Sequence, residues 1–285
     1  MTDDNRPRVA LVQFPGSNCE WETKRAAEAA GIECSVFRWN IDPKQLAGYD
    51  GYIVGGGFSY QDRIRSGVIA TKEPIVGRMM EQIAESGKPA LGICNGAQVL
   101  VEAGLVPGLH FGEVEMALAP NRPDSSHRIT GFCCRWVHVK LACPPDRCLM
   151  TARMEPGQVI PIPIAHGEGR FTTRDEAVVD ALYENDQIVF QYCDADGNVE
   201  DRPEINPNGA IANIAGLCNR AGNVMALMPH PERASFLRQV PTDLGDEWSL
   251  RRRKAYGDTR ALEGPGPGRA VFDAMRESLV AMQPA

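Results

Sequence analysis

Three times within the first hundred residues a short apolar run breaks at a glycine-bearing turn and later gives way to a helix-prone stretch. Arg8 to Phe14 ends at Pro15-Gly16 and leads into Trp21 to Ala30, which Gly31 stops. Ser17 and Glu20 stand at capping-box spacing ahead of that helix. Glu33 to Arg38 reads as a second strand; Tyr52 to Val54 meets a glycine cluster ahead of a helix from Pro74 to Glu85. Ala90 to Ile93 precedes a further helical stretch. Strands alternating with helices bury both faces of a mostly parallel sheet, so the chain reads as α/β. Ligands of such sheets bind beyond the carboxyl ends of the strands, which places Pro15 to Asn18, Gly55 to Tyr60 and Cys94 on the functional edge.

Past Pro107 the pattern changes. Phe132 to Leu141, Val159 to Ile164, Ile188 to Tyr192 and Asn223 to Met228 suggest strands joined by loops, hence an added, partly antiparallel region. A last helix is predicted from Arg269 to Met282. Before it, Arg251-Arg252-Arg253-Lys254 reads as a solvated helix face, with contact to an anionic partner or substrate phosphate as the alternative, and Gly264-Pro265-Gly266-Pro267-Gly268 as a flexible linker.

Composition removes several classes. With 43% hydrophobic and 24% charged residues, the chain of 285 can bury a core. Its 30 basic and 37 acidic residues give a net charge of −7 without a basic stripe, which argues against nucleic acid. No apolar run has membrane-spanning length and Met1 to Arg8 is polar, so the expectation is a cytoplasmic protein with no membrane partner. Nine cysteines are scattered without a CxxC pair, Cys143 and Cys148 lack a companion pair, and no metal is expected.

The sharpest chemical signal is Gly92-Ile93-Cys94-Asn95-Gly96-Ala97-Gln98, a G-x-C-x-G at a predicted strand-to-helix junction. A nucleophile elbow needs small residues on either side because the chain passes close to itself there. At a helix N-terminus the peptide dipoles favour the thiolate, the reactive species, and the Asn95 N–H could face an oxyanion. A buried cysteine at an ordinary glycine-bounded turn is the alternative. A thiol nucleophile wants a base held by a third group. Of His110, His127, His138, His166 and His230, His138 sits in an apolar strand, and His110 and His127 lie in uninformative loops. His230 stands between Pro229 and Pro231 with Glu232 two residues on, close enough to orient the imidazole. A rigid loop histidine remains the alternative there.

Gly92 to Gln98, taken with His230-Pro231-Glu232, resembles the class I glutamine amidotransferase family. The Phe14 to Cys19, Gly56 to Tyr60, Ile164 to Phe171, Asn206 to Gly209 and Met228 to Ala234 blocks are similar, more narrowly, to its glutaminase subunits of purine synthesis. The resemblance covers most of residues 8 to 235. It implies a single glutaminase domain of flavodoxin-like fold, with a core of about 8–238 and a C-terminal extension of about 239–285. It further implies a Cys94-His230-Glu232 triad acting through a glutamyl thioester, an oxyanion hole from Gly56 or Gly57 with Asn95, and glutamine binding by Gln98. From the residues themselves, glycines 167 and 169 suggest a tight turn that makes His166, Glu168 and Arg170 partner-face or glutamine-pocket residues, and Cys19, at another helix N-terminus without a nearby base, reads as structural. The chain itself would carry no cofactor: ATP and Mg belong to a separate synthetase subunit that makes formylglycinamidine ribonucleotide, joined by a small accessory subunit. No Walker-type phosphate loop occurs. Asn121 to Phe132 is longer than the corresponding family segment and has Gly131 where an arginine is common; Gln61 and Gly55 replace a common glycine and proline. Two other functions fit the elbow: a stand-alone cysteine hydrolase, peptidase-like or acting on γ-glutamyl substrates, and a catalytically silent binding subunit.

Overall fold

A computed structural model describes residues 6–122 and 131–283. His127 and most of the longer 121–132 segment lie outside the described residues. In chain order the elements are β1 (Arg8–Gln13), α1 (Glu20–Ala29), β2 (Glu33–Arg38), β3 (Gly51–Val54), α2 (Pro74–Ser86), β4 (Ala90–Ile93) and α3 (Asn95–Glu102). They continue with β5 (Ala117–Ala119), β6 (Cys133–Leu141), β7 (Val159–His166), β8 (Arg170–Thr172), α4 (Glu176–Glu184), β9 (Ile188–Cys193), β10 (Ile214–Cys218) and β11 (Val224–Leu227). Three helices close the chain: α5 (Glu247–Lys254), α6 (Thr259–Leu262) and α7 (Arg269–Met282).

Nine strands form one sheet in the order β2-β1-β3-β4-β11-β10-β9-β6-β7, and β5 pairs with β8 apart from it. The first five are parallel, in the flavodoxin-like order with β11 at the fifth place. Strands β3, β4 and β11 are buried along their whole length, as a parallel sheet covered on both faces requires. From β11 to β7 every pairing is antiparallel. Four reversals return β7 to the direction of β4, so Ala165 and His166 emerge on the same edge as Cys94. Pro161 and Pro163 have no N–H to donate, which suits β7 to the edge of the sheet it occupies.

The expected elements recur nearly residue for residue, with two local departures. Helix α1 starts at Cys19 without a side-chain cap. Ser17 Oγ instead accepts from the Phe14 N–H at 3.1 Å, and Glu20 accepts from the Gln13 amide at 2.9 Å. The second departure is the Gly264 to Gly268 segment, which is docked and is no linker. The N–H of Gly266 donates to Ser235 O at 3.0 Å, that of Gly268 to Ala234 O at 2.8 Å, and that of Leu237 to Gly264 O at 3.0 Å. A Cβ on Gly268 would lie 2.3 Å from Pro231 O, so glycine is required there for closeness.

The rest of the C-terminal segment divides. Val271, Phe272, Met275 and Leu279 of α7 join the main core, while Leu237, Val240 and Ala255 form a small separate cluster around Trp248. His138 Nε2 meets Asp246 at 3.2 Å and ties that cluster to β6. Arg251, Arg253 and Lys254 are exposed on the last turn of α5, where cations complement the helix dipole. Among the described residues no helix is long and apolar enough to cross a membrane.

Candidate active site

Strand β4 delivers Cys94 to the sheet edge. Its N–H continues the ladder to Leu227 O at 2.8 Å, and its backbone then turns to φ 53°, ψ −108° before α3 begins. A non-glycine residue held there stores on the order of 1–3 kcal/mol of strain, of a kind that concentrates at functional sites. The flanking glycines meet the demand read from the sequence. A Cβ on Gly96 would lie 1.8 Å from Val54 O, and one on Gly92 2.6 Å from Gly96 O. Cys94 is 6% exposed, and its thiol donates to Ala165 O at 3.5 Å.

His230 arrives from the loop after β11. Its N–H donates to Pro163 O at 2.8 Å, so the sheet curls until its edge strand braces the loop. Nδ1 lies 2.6 Å from Glu232 Oε1, and both residues are fully buried. Burial works against a charged imidazole here, but the Glu232 carboxylate and the Cys94 and Cys19 sulfurs outweigh it and hold His230 well above its ordinary value. Nε2 faces those two thiols and makes no well-aligned hydrogen bond to either. Such loose geometry is common in free enzymes and tightens with substrate.

Cys19, read from the sequence as structural, thus stands beside the base. Its Sγ accepts from Arg233 at 3.1 Å, and a Cβ on Gly56 would meet it at 2.9 Å and His230 Cε1 at 3.0 Å. The ligand atoms of Cys19, His230 and Glu232 lie within 4.8 Å of one another. The Arg233 guanidinium, 3.1 Å from Sγ and 3.9 Å from Glu232, already supplies the positive charge that a bound cation would bring. That arrangement suits a proton network better than a metal.

The structure separates the two glycines expected at the oxyanion. Gly56 O accepts from the Asn18 and Cys19 N–H groups, and the neighbouring bond runs from Phe58 N–H to Gly16 O. The Gly57 N–H takes no part in this bridge, and Gly57, not Gly56, lines the cavity at Cys94. Asn95 opens α3, where the first N–H groups lack intrahelical acceptors. Its side chain fixes the facing loop by accepting from Ser59 N–H at 3.1 Å and donating to Gln98 Oε1 at 2.8 Å and Asp62 at 3.3 Å. Tyr60, Gln61 and Asp62 run consecutively at positive φ in that loop, so it too is held against its intrinsic preference.

Gln98 lines the cavity, but its amide is committed at both ends: Nε2 donates to Glu168 O at 2.6 Å while Oε1 takes the Asn95 bond. Its geometry is that of a brace between the elbow and the turn after β7. His166 and Glu168 line the same cavity; Arg170 points away and donates to Pro120 O at 3.0 Å. Sequence reasoning missed Asp62, Ser66, Phe132 and Asn121. The first three line the cavity, of about 120 Å³, and Asn121 buttresses His166. Burial, then the charge of Glu168, pushes Asp62 up to about 6. A larger hollow of about 710 Å³ between Leu109 to Glu115 and α4 holds no nucleophile.

A thiol at a strained elbow, a buried imidazole–carboxylate pair beside it and free N–H groups across the cavity suit acyl transfer from an amide or ester. Comparison with known proteins narrows this class. Residues 6–257 match the CobB/CobQ-like glutamine amidotransferase domain. The chain is 43% identical over 272 residues to phosphoribosylformylglycinamidine synthase subunit PurQ of Methanothrix thermoacetophila, covering 94% of this chain and 97% of that protein. It is 43% identical over 228 residues to the protein of the same name from Pyrococcus furiosus, covering 80% and 89%. Among solved structures, PurLQS from Thermotoga maritima contains a chain with TM-score 0.66 and 33% identity, covering 95% of this chain and 97% of that one.

Proposed function

The chain belongs to the CobB/CobQ-like glutamine amidotransferase family, and from that premise we propose that it is the glutaminase subunit of a phosphoribosylformylglycinamidine synthase. It hydrolyses glutamine to glutamate and ammonia and supplies the ammonia to a synthetase subunit that makes formylglycinamidine ribonucleotide in purine synthesis. The observation that carries this reading is the convergence of Cys94 and the His230-Glu232 pair from two distant stretches of sequence onto one sheet edge.

The chemistry follows from the geometry. Cys94 passes its thiol proton to His230 Nε2 as Sγ attacks the side-chain amide carbon of glutamine, and the oxygen that becomes negative faces the N–H groups of Gly57 and Asn95. Each such donor is worth about 3 kcal/mol of barrier. The imidazolium of His230, held by Glu232, gives its proton to the departing nitrogen, and ammonia leaves a glutamyl thioester on Cys94. Water, deprotonated by the now neutral His230, cleaves the thioester, which releases glutamate and restores the thiol. None of these steps calls for a cofactor in this chain; ATP and Mg act in the synthetase subunit, and a small accessory subunit completes the assembly. The whole chain works as one glutaminase domain, core and extension together.

The test uses the assembled complex. Cys94→Ala should abolish glutamine-dependent product formation while synthesis from added ammonium salt continues. Undiminished ammonia release from glutamine by that variant would remove the nucleophile assignment. A stand-alone hydrolase would instead turn over peptides or γ-glutamyl compounds without any partner.

A further inference from the structure

The hydrolytic steps give a task to one of the two sulfurs that face His230 Nε2. That nitrogen is buried and makes no well-aligned hydrogen bond, with Cys94 Sγ presented to it by the elbow and Cys19 Sγ by the start of α1. The second sulfur is left over. Cys19 is 1% exposed yet belongs to neither apolar cluster of the described residues, which sets it apart from a cysteine buried for packing. It occupies the N-cap position of α1, but its side chain caps no N–H and is turned inward instead. Its surroundings there are polar. The S–H donates to Asn18 Oδ1 at 3.2 Å, and Sγ accepts from Arg233 at 3.1 Å. With the hydrogen committed to Asn18, what Sγ offers the imidazole is a lone pair, within 4.8 Å of a ring nitrogen. Gly56 is what lets sulfur and ring lie side by side. A Cβ there would stand 2.9 Å from Sγ and 3.0 Å from His230 Cε1, while its carbonyl accepts the Cys19 N–H at 3.3 Å.

The groups around the base pull in two directions. Glu232 holds Nδ1 at 2.6 Å and the Cys94 and Cys19 sulfurs face the other nitrogen, and all three favour the imidazolium. The Arg233 guanidinium, on the same loop, opposes a second positive charge. It is itself held by Cys19, Glu232 and Glu22, the last at 3.5 Å. From β7, His166 is pushed down to about 3, first by burial, and stays neutral; from α7, Arg269 is paired with Asp273. Cys19 thus bridges the imidazole and the Arg233 guanidinium, a place where an acceptor serves both.

We propose that Cys19 is a positioning residue of the base, its sulfur accepting the Nε2 hydrogen of the His230 imidazolium whenever no substrate nitrogen is there to receive it. This rests on the glutaminase reading and adds to it the group that keeps the proton on the ring between its arrival from Cys94 and its delivery to the departing nitrogen. No proton passes to Cys19, which keeps its own hydrogen toward Asn18. Only the hydrogen bond changes hands.

The test pairs a titration with a rate. Cys19→Ala removes the acceptor, and Cys19→Ser returns one on a shorter bond. By NMR of the histidine rings in the full chain, the pH at which His230 gives up its imidazolium proton should fall by about one pH unit in Cys19→Ala, as expected for one charge-assisted contact. In Cys19→Ser it should return at least halfway. In the assembled complex, Cys19→Ala should lower kcat with glutamine by about tenfold, the same factor, with KM changed less than about threefold. Cys19→Ser should recover most of that loss, and synthesis from added ammonium salt, which bypasses the triad, should continue in both. A His230 titration that stays put in Cys19→Ala would overturn the proposal whatever the rate does, because a packing role lowers activity without moving it. A kcat within about twofold of wild type, or a serine variant no better than alanine, would overturn it as well. The titration is read without glutamine and so is independent of the glutaminase reading. That reading falls instead if the wild-type complex makes product from ammonium salt but releases no ammonia from glutamine.

Discussion

In the parallel half of the molecule a functional group is placed by its immediate neighbours. Cys94 owes its position to a strand that ends one residue earlier, a helix that begins one residue later, and glycines two residues away on either side. In the antiparallel half the same task is done at long range. His166 takes its tautomer from Asn121, 45 residues back, and the edge strand β7 reaches across the curl of the sheet to hold His230 of the parallel half at Pro163. Nearest-neighbour placement makes a nucleophile that tolerates almost no local change. Distributed placement makes a cavity wall whose parts can be altered one at a time.

Four predictions press on that contrast. The largest effect belongs to Cys94→Ala, which should lower glutamine-dependent ammonia release by on the order of 10⁶, about 8 kcal/mol of barrier. Glutamate formation measured in the complex decides it, and a loss of only tenfold would mean that another group attacks. Next comes Glu232→Gln, which keeps the shape and removes the charge that favours the imidazolium. kcat should drop by about 10⁴, roughly 5 kcal/mol. Should the drop be slight, the brace at Pro163 rather than the carboxylate is what holds the ring.

A pair of glycine substitutions compares the two halves directly. Gly96→Ala forces a methyl into Val54 O and should destabilise the fold by about 3 kcal/mol. Gly167→Ala, where a Cβ meets nothing within 4 Å, should stay within about 0.5 kcal/mol. Urea midpoints read both, and similar values would erase the distinction between local and distributed placement.

The smallest effect concerns His166. With its value pushed down to about 3, its ring proton resonances should show no step across roughly pH 5 to 8. The unfolded chain binds that proton near 6.5 and the folded one does not, so the contribution of His166 to stability is full above about 6.5. It is lost as pH falls from there toward 3, by at most about 1.4 kcal/mol per pH unit. The stability difference between wild type and His166→Phe should therefore shift against wild type on acidification. A flat difference would place the ring in water.

This contrast also explains what could be read in the sequence. The elbow, the strands before Pro107 and the His230-Glu232 pair are written in contiguous residues, and the structure reproduces them, whereas the strand at Asn223 to Met228, expected in the partly antiparallel region, pairs in parallel with β4. Asn121 and Asp62 lie in loops with no periodicity or motif, and only the fold brings them to the cavity. Ser17 and Glu20 had the spacing of a cap, but the Phe14 backbone N–H and the Gln13 side-chain amide take up their acceptors instead. Strand β10 and helix α4 escaped notice because their short apolar runs resemble loop segments packed on a core. The glycine-proline run near the end misled for a further reason: composition does not distinguish a glycine needed for freedom from one needed for proximity.

That run also couples the end of the chain to the segment that carries the base. Gly264, Gly266 and Gly268 clasp the 231–237 backbone that follows the base, and the next helix anchors them in the core. Three backbone bonds and a close approach at Pro231 thus fasten the segment just past the base to the last helix of the chain, so the two share one anchorage in the core.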